Sequence, residues 1–136
     1  MHKKTKGSVA EMAVAGKLLE MGWSILFPFG ENSRYDLVAE KHGKFLKVQV
    51  KYVTPANGVL KVGCKSSNNW SVKKYTAKEI DYIAVYNGKD KGIYFIPSSK
   101  LNKSAIGLRI LPTKNNQKLN IRDSKEFLLF EGKQGC

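Results

Sequence analysis

Apolar residues near the start of the chain recur at helical spacing. From Ser8 to about Met21 they return every three to four positions, Lys17 and Glu20 lie opposite them, and Gly22 ends the pattern. The pattern predicts a first helix over residues 8–21, with an apolar stripe formed by Met12, Val14, Ala15, Leu18 and Leu19.

Short segments rich in β-branched and aromatic residues follow this helix, separated by turn residues. They predict consecutive strands at residues 24–29, 35–40 and 44–51, and later strands at 59–62, 82–86 and 93–96. A capping box from Thr76 to Glu79 predicts a short helix between the two groups. Beyond Pro97, segments 108–111 and 127–130 are candidates for extra strands.

Length and composition indicate one globular domain. The 136 residues are 42% hydrophobic and 26% charged, which is ordinary for a folded domain. No repeat or low-complexity linker divides the chain, so we expect one domain over residues 1–136. Cys64 and Cys136 lack metal-ligand spacing, so the sequence predicts neither a disulfide framework nor a zinc site.

The net charge narrows the choice of partner. A surplus of +13, from 24 Lys and Arg against 11 Asp and Glu, favours polyanions such as nucleic acid, although solubility alone could account for it. The apolar stretches are shorter than the roughly 18 to 20 residues of a membrane-spanning helix. No secretory signal follows Met1. We therefore expect an intracellular, cytoplasmic protein that does not bind a membrane.

Glu11 falls within the predicted apolar stripe, between Leu18 and Ala15 on a helical wheel. A carboxylate there needs a partner, because an uncompensated buried charge is costly, and a cation or a lysine would be such a partner. The alternative is a capping box in which Glu11 reaches back to the backbone of Ser8. The sequence leaves both interpretations open.

A hairpin brings further polar residues together. A turn at His42 and Gly43 pairs residues whose numbers add to 85, which sets Asp36 opposite Gln49. Gln49 and Lys51 share one strand face, and Lys51 is the diagonal neighbour of Asp36. The alternative is that these are only the solvated positions of a half-exposed strand. Against it, Asp36, Glu11 and Gln49 offer the oxygen ligands that Mg²⁺ prefers, and a lysine beside them suits phosphodiester hydrolysis.

These residues resemble the motifs of the PD-(D/E)XK nuclease superfamily. The match covers about residues 6–100, in segments 6–11 (KGSVAE), 28–30 (PFG), 34–38 (RYDLV), 48–51 (VQVK), 81–86 (DYIAVY) and 94–97 (YFIP). Within the superfamily the chain is similar to the small group I intron-associated homing endonucleases, which also carry Gln before the lysine. The archaeal Holliday junction resolvases are a related alternative.

The resemblance implies an α/β restriction endonuclease-like fold, in which a mixed central sheet is flanked by helices. It implies that Asp36, Gln49, Lys51 and Glu11 are catalytic, and that Asp36, Gln49 and Glu11 bind a metal, either Mg²⁺ or Mn²⁺. Two positions depart from the common pattern: Gln49 stands where an acid is usual, and Tyr35 where a proline is frequent. The first departure leaves the site one negative charge short.

Basic and aromatic residues outside this site are candidates for DNA contact. Lys3, Lys4, Lys6 and Ser8 surround the predicted start of the helix, where backbone amides attract phosphate, and Arg34 precedes Asp36. The segment 65–75 mixes lysines with aromatic side chains suited to gripping a backbone or stacking on bases. The predicted DNA-binding residues are Lys3, Lys4, Lys6, Ser8, Arg34, Lys47, Lys65, Trp70, Lys73, Lys74 and Tyr75.

The sequence thus predicts a metal-dependent DNA endonuclease whose partner is double-stranded or branched DNA. Two alternatives stay open: a Holliday junction resolvase or other structure-specific nuclease, and a basic DNA-binding module without catalysis. One set of site residues per chain predicts a homodimer or a larger symmetric oligomer. Residues 101–136 follow the family core, and they are expected to form either the oligomer interface or additional strands of the same subunit.

Overall fold

The computed structural model describes residues 1–30, 32–63, 65–67, 72–74, 79–100, 105–111, 121–128 and 130. Its helix α1 spans Lys3–Glu20. Its strands are β1 (Ser24–Leu26), β2 (Leu37–Lys41), β3 (Lys44–Val53), β4 (Val59–Gly63), β5 (Lys65–Ser67), β6 (Val72–Lys74), β7 (Tyr82–Asn87), β8 (Ile93–Pro97), β9 (Ala105–Arg109) and β10 (Ile121–Asp123). Single 3₁₀ turns cover Ser98–Lys100 and Ser124–Phe127.

The central sheet has the strand order β1-β2-β3-β7-β8. Strand β3 runs parallel to β7, whereas the other neighbours are antiparallel. A parallel pair requires a long crossover connection, and here the segment from β4 to β6 lies between the two strands in sequence. The sheet is therefore mixed, as the predicted α/β fold requires.

Different layers cover the two faces of this sheet. Ala10, Val14 and Leu18 of α1 are fully buried against one face, together with Val48 and Ala84. The other face packs on a three-stranded sheet of order β10-β9-β4, which contributes Leu60, Val62, Ile106 and Leu108. Within the described residues the second covering layer is thus a sheet, where the family resemblance implied a helix. The predicted helix after Thr76 begins on residues outside the described part, and Glu79 and Ile80, where the description resumes, are not helical.

The first helix begins earlier than the apolar pattern predicted. His2 is its N-cap, since its Nδ1 accepts the N–H of Lys4 at 3.2 Å. Ser8 lies inside the helix, where its Oγ donates to the carbonyl of Lys4 at 3.2 Å. The alternative of a capping box from Ser8 to Glu11 was therefore wrong. The helix is capped by His2, which lies upstream of the motif from Ser8 to Glu11.

The predicted apolar stripe was too wide. Met12 and Leu19 are each 58% exposed, whereas Ala10, Val14, Ala15 and Leu18 are buried. Small alanine side chains let the helix approach the sheet along a narrow line. The apolar residues to one side of that line remain in solvent.

The C-terminal part completes the core of the same chain. Phe130 lies within 4.6 Å of Tyr82, 4.9 Å of Trp23 and 5.0 Å of Phe95, measured between ring centroids. The predicted strand at residues 127–130 was wrong, because Phe127 ends a 3₁₀ turn and Phe130 is buried as a single aromatic side chain. The predicted strand at 108–111 overlaps β9, which begins three residues earlier, at Ala105, and ends two residues earlier, at Arg109.

Candidate active site

Asp36 lies immediately before β2 and is bound to β3 through both backbone and side chain. Its N–H donates to the carbonyl of Val48 at 2.8 Å, and its Oδ2 accepts the N–H of Val50 at 2.8 Å. The carboxylate therefore sits beside Gln49, which lies between these two partners. The hairpin register is confirmed, since Leu37 pairs with Val48 and Lys41 with Lys44. Sequence reasoning missed the hydrogen bonds that anchor the aspartate.

Gln49 and Lys51 project from the same face of β3. They are half-buried and alternate with the buried Val48 and Val50, which face α1. In the parallel neighbour β7, Gln49 is paired with Ile83 and Lys51 with Val85. These positions are therefore partly covered by the fold, and the interpretation as a solvated strand face does not describe them.

The charges of Lys51, Asp36 and Glu11 act on one another. Burial raises the pKa of Asp36, while the N–H of Val50 and the charge of Lys51 oppose this rise. Burial also raises the pKa of Glu11, and the negative charge of Asp36 raises it further. Two carboxylates therefore approach each other in a half-buried position, where the charge of Asp36 makes ionisation of Glu11 less favourable.

A cleft of about 310 Å³ connects the two carboxylates. Glu11 lines it from α1 and Asp36 from the start of β2, and the loop between β1 and β2 supplies the remaining wall: Phe27, Pro28, Gly30, Ser33 and Tyr35. Sequence reasoning assigned no role to most of this loop and extended β1 into it. The available signal was Pro28 inside the predicted strand and Gly30 directly after it, since both are turn residues; Gly30 has a φ of +96°.

The donor set of this cleft fits a hard divalent cation. Asp36 and Glu11 are oxygen ligands whose mutual repulsion a cation would relieve, and Gln49 adds a neutral side-chain oxygen. No group of three or more His, Cys, Asp or Glu side chains suited to a metal occurs among the described residues. Of the predicted metal ligands, Asp36 and Glu11 line the cleft, whereas Gln49 lies on β3 and is not among the lining residues.

A sequence profile of PD-(D/E)XK endonucleases matches residues 1–130. The chain belongs to the PD-(D/E)XK endonuclease family. Members of this family are generally dependent on a divalent metal. Membership of this family indicates that the protein is a nuclease. The two carboxylates of the cleft, Glu11 and Asp36, and the nearby Lys51 agree with that activity.

Two proteins are similar to this endonuclease. Protein 5.3 of Escherichia phage T7 is 35% identical over 95 residues, which cover 65% of this chain and 75% of the phage protein. The structure of the bacterial homing endonuclease I-Ssp6803I matches with a TM-score of 0.74 and 27% identity, over 93% of this chain and 88% of that one. This match confirms the predicted α/β restriction endonuclease-like fold class.

The predicted DNA-binding residues of the endonuclease lie in different surroundings. Lys3 and Lys4 are exposed on the first turn of α1, while the Nζ of Lys6 lies 5.5 Å from the ring centroid of Tyr52. Arg34 is paired with Glu79, with 2.9 Å between Nε and Oε2. Ser8 is exposed in the helix interior, so it does not stand among the first-turn amides as predicted.

The remaining DNA-binding candidates lie on strands or outside the described residues. Lys47 is half-buried on β3, and its backbone exchanges two hydrogen bonds of 2.8 Å with Asp81. Strands β5 and β6 form a two-stranded ribbon in which Lys65 pairs with Lys74 and Ser66 with Lys73. Trp70 and Tyr75 lie outside the described residues. In the described part of the chain, no helix is long and apolar enough to cross a membrane.

Proposed function

We propose that this protein is a divalent-metal-dependent DNA endonuclease that hydrolyses phosphodiester bonds at specific sites. The observation that carries the proposal is the position of Asp36, which is hydrogen-bonded between Val48 and Val50 and interacts electrostatically with both Glu11 and Lys51. Site specificity is supported by the likeness to a homing endonuclease over 93% of the chain. We further propose that residues 1–136 act as one nuclease domain.

In this proposal Asp36, Glu11 and Gln49 hold the cation, with Mg²⁺ as the expected ion and Mn²⁺ as a substitute. The bound ion would supply Lewis-acid stabilisation of the charge that develops on the scissile phosphate. The Val50 N–H fixes the orientation of the Asp36 carboxylate. The half-buried surroundings of Glu11 and Asp36 exclude part of the competing water and strengthen their attraction for a cation.

Lys51 is the side chain that we propose to assist the attack of water on the scissile phosphate. Its ammonium group lies close enough to Asp36 to lower the pKa of that carboxyl group. In that position it can orient the attacking water, assist its deprotonation and offset negative charge on the pentacovalent phosphorane. An alanine at this position would retain none of these three effects.

DNA would approach the cleft across the basic first turn of α1. Lys3 and Lys4 are exposed there, and lysines beside the amides of a helix start bind phosphate groups. Arg34 would exchange Glu79 for a phosphate, since both side chains are partly accessible at 31% and 27%. The β5–β6 ribbon, which carries Lys65, Lys73 and Lys74, would provide a second region of contact.

The test compares two aspartates that have the same structural role. Asp36 accepts the N–H of Val50 and Asp81 accepts the N–H of Lys47, each at 2.8 Å on β3, but only Asp36 lines the cleft. Asn retains an acceptor oxygen in both places. We expect Asp36→Asn and Lys51→Ala to reduce cleavage of DNA by at least about 100-fold, as losses of groups that stabilise the transition state do, while Asp81→Asn cleaves normally.

The measurement is cleavage of plasmid and of intron-target libraries with Mg²⁺, with Mn²⁺ and with EDTA. Binding of all variants is measured in parallel and should remain within a few-fold of wild type. Wild-type rates in EDTA, or full activity of Lys51→Ala, would contradict the proposal. DNA binding without cleavage in any metal would favour the non-catalytic DNA-binding module, and preferential cutting of four-way junctions would favour the resolvase alternative.

A further inference from the structure

Phe29 stands fully exposed at the mouth of the cleft. Its relative exposure is 105%, and that of the neighbouring Phe27 is 51%. The residues on either side of Phe29, Pro28 and Gly30, both line the cleft, whereas Phe29 does not. The backbone is thus anchored at the cleft wall on both sides of a side chain that extends outward.

The loop around Phe29 is restricted in conformation. The ring of Pro28 fixes its own φ, and Gly30 adopts a φ of +96° that other residues rarely take. An apolar ring held in water gains nothing for the fold, since burial of such a side chain is what stabilises a protein. Stability therefore gives no reason for an aromatic residue at this position.

The location of Phe29 beside the cleft gives a functional reason for an aromatic residue at this position. A scissile phosphate placed in the cleft would bring its flanking base steps to the rim, because successive phosphates of one strand advance only about 3.4 Å along the helix axis. In proteins that bind the minor groove, apolar side chains enter between base steps and partly unstack them. The net charge of +13 makes DNA the macromolecule that this surface attracts.

We propose that Phe29 is a DNA-positioning residue that stacks on a base next to the scissile phosphate and opens that base step, with Phe27 supporting it. This inference rests on the proposed nuclease function. It names a preferred substrate class: DNA in which a base step is already unstacked, as beside an abasic site, should bind more tightly than continuous duplex, because less stacking is lost on binding.

The test measures DNA affinity without cleavage, in EDTA, by fluorescence anisotropy. The probes are a fully paired 30-base-pair duplex and the same duplex with a central abasic site flanked by 2-aminopurine. Wild type should bind the abasic duplex roughly ten-fold more tightly, the size expected for one base stacked on an aromatic ring, and should change the 2-aminopurine fluorescence. Phe29→Ala should lose both the preference and the fluorescence change, and Phe29→Trp should keep them.

Phe45→Ala is the matched control. Phe45 is another exposed phenylalanine, at 59%, but it lies at the hairpin end of β3, six positions before Lys51 and about 20 Å from it along the strand. This variant should behave as wild type. Equal affinity of wild type for the two duplexes, or an unchanged preference in Phe29→Ala, would overturn the inference.

Two further outcomes distinguish base stacking by Phe29 from a subunit contact and from a failure of the catalytic site. If Phe29→Ala alters the sedimentation coefficient of the free protein, Phe29 is a contact between subunits and the inference is wrong. If Asp36→Asn cuts DNA at the wild-type rate while Phe29→Ala loses its preference, the proposed catalytic site fails but the stacking residue stands. Loss of cutting in Asp36→Asn with no effect of Phe29→Ala overturns the stacking role alone.

Discussion

Asp36 and Asp81 bind the central strand from its two sides. Each aspartate directly precedes a strand that flanks β3, and each accepts a backbone N–H of β3 at 2.8 Å. Asp81 also connects the next strand, since its carbonyl accepts the N–H of Ser98 at 2.8 Å. Asp36 and Asp81 therefore share one structural role, which is to bind the backbone of β3. Asp36 differs from Asp81 in its proximity to Glu11 and Lys51.

Glu11 is expected to lower the stability of the metal-free protein at neutral pH. Because its pKa is raised above the ordinary value of 4.5, the folded chain binds this proton more tightly than the unfolded chain. The stabilisation from that proton is full below about pH 4.5 and is lost as the pH rises through the raised pKa. Glu11→Gln should therefore melt at a higher temperature than wild type at pH 7 in EDTA, while cleaving DNA poorly.

Calorimetry over a pH series checks this prediction. The difference in melting temperature between Glu11→Gln and wild type should shrink as the pH falls toward 4.5. Added Mg²⁺ should raise the melting temperature of wild type more than that of the variant, because a cation relieves the repulsion with Asp36. A variant that melts below wild type at pH 7 in EDTA would show that the charge of Glu11 is already compensated in the free protein.

At the scale of elements, local sequence patterns correctly predicted the features that depend on residues close together in the chain. The β2–β3 hairpin has the predicted register, with φ values of +53° at His42 and +81° at Gly43 in its turn. Strand alternation correctly placed Gln49 and Lys51 on one face. Helical spacing placed Glu11 within the apolar stripe, and Glu11 is half-buried, although Met12 and Leu19 show that spacing alone overestimates the buried width.

Long-range contacts set the features that the sequence could not predict. The parallel pairing of β3 with β7, and of β9 with β10, joins segments far apart in the chain. The spacing of polar and apolar residues along one segment does not determine which other strand that segment pairs with. The loop that lines the cleft acquires its role only when β1 and α1 are packed around it, and the upstream cap at His2 replaced a capping box with the expected motif.

The C-terminal segment is expected to contribute strongly to stability. Phe130 is 4% exposed and contacts three aromatic rings, whereas its near neighbour Leu128 is 48% exposed. Phe130→Ala should lower the free energy of unfolding by about 3 to 5 kcal/mol through loss of apolar packing and creation of a cavity. Leu128→Ala should change it by less than about 0.5 kcal/mol. Urea denaturation of both variants checks this, and equal effects would argue against the packing of Phe130.

For the whole molecule, the surplus of positive charge predicts binding that weakens steeply with salt. Each neutralised phosphate contributes a slope of roughly −0.9 in log affinity against log salt, so five such phosphates would give about −4.5. Replacing Lys3 or Lys4, both exposed, by Gln should reduce the slope by about 1 for each phosphate that the variant no longer neutralises. Titrations of duplex DNA at several salt concentrations measure it, and a slope near zero would mean that the +13 charge does not serve DNA binding.

The working enzyme is expected to be a symmetric oligomer, at least a dimer. Each chain carries one proposed set of Asp36, Gln49, Lys51 and Glu11 and should cut one strand per encounter, so a duplex break needs two sites related by symmetry. Ile106, Leu108, Phe127 and Phe130 are buried in the core of the chain itself, so the interface must use other surfaces than these C-terminal side chains. Sedimentation and light scattering at micromolar concentration, with and without DNA, should give at least twice the 15.2 kDa mass of one chain. A strict monomer in both states that still breaks both strands in one encounter would refute the prediction, since two cuts would then have come from a single site.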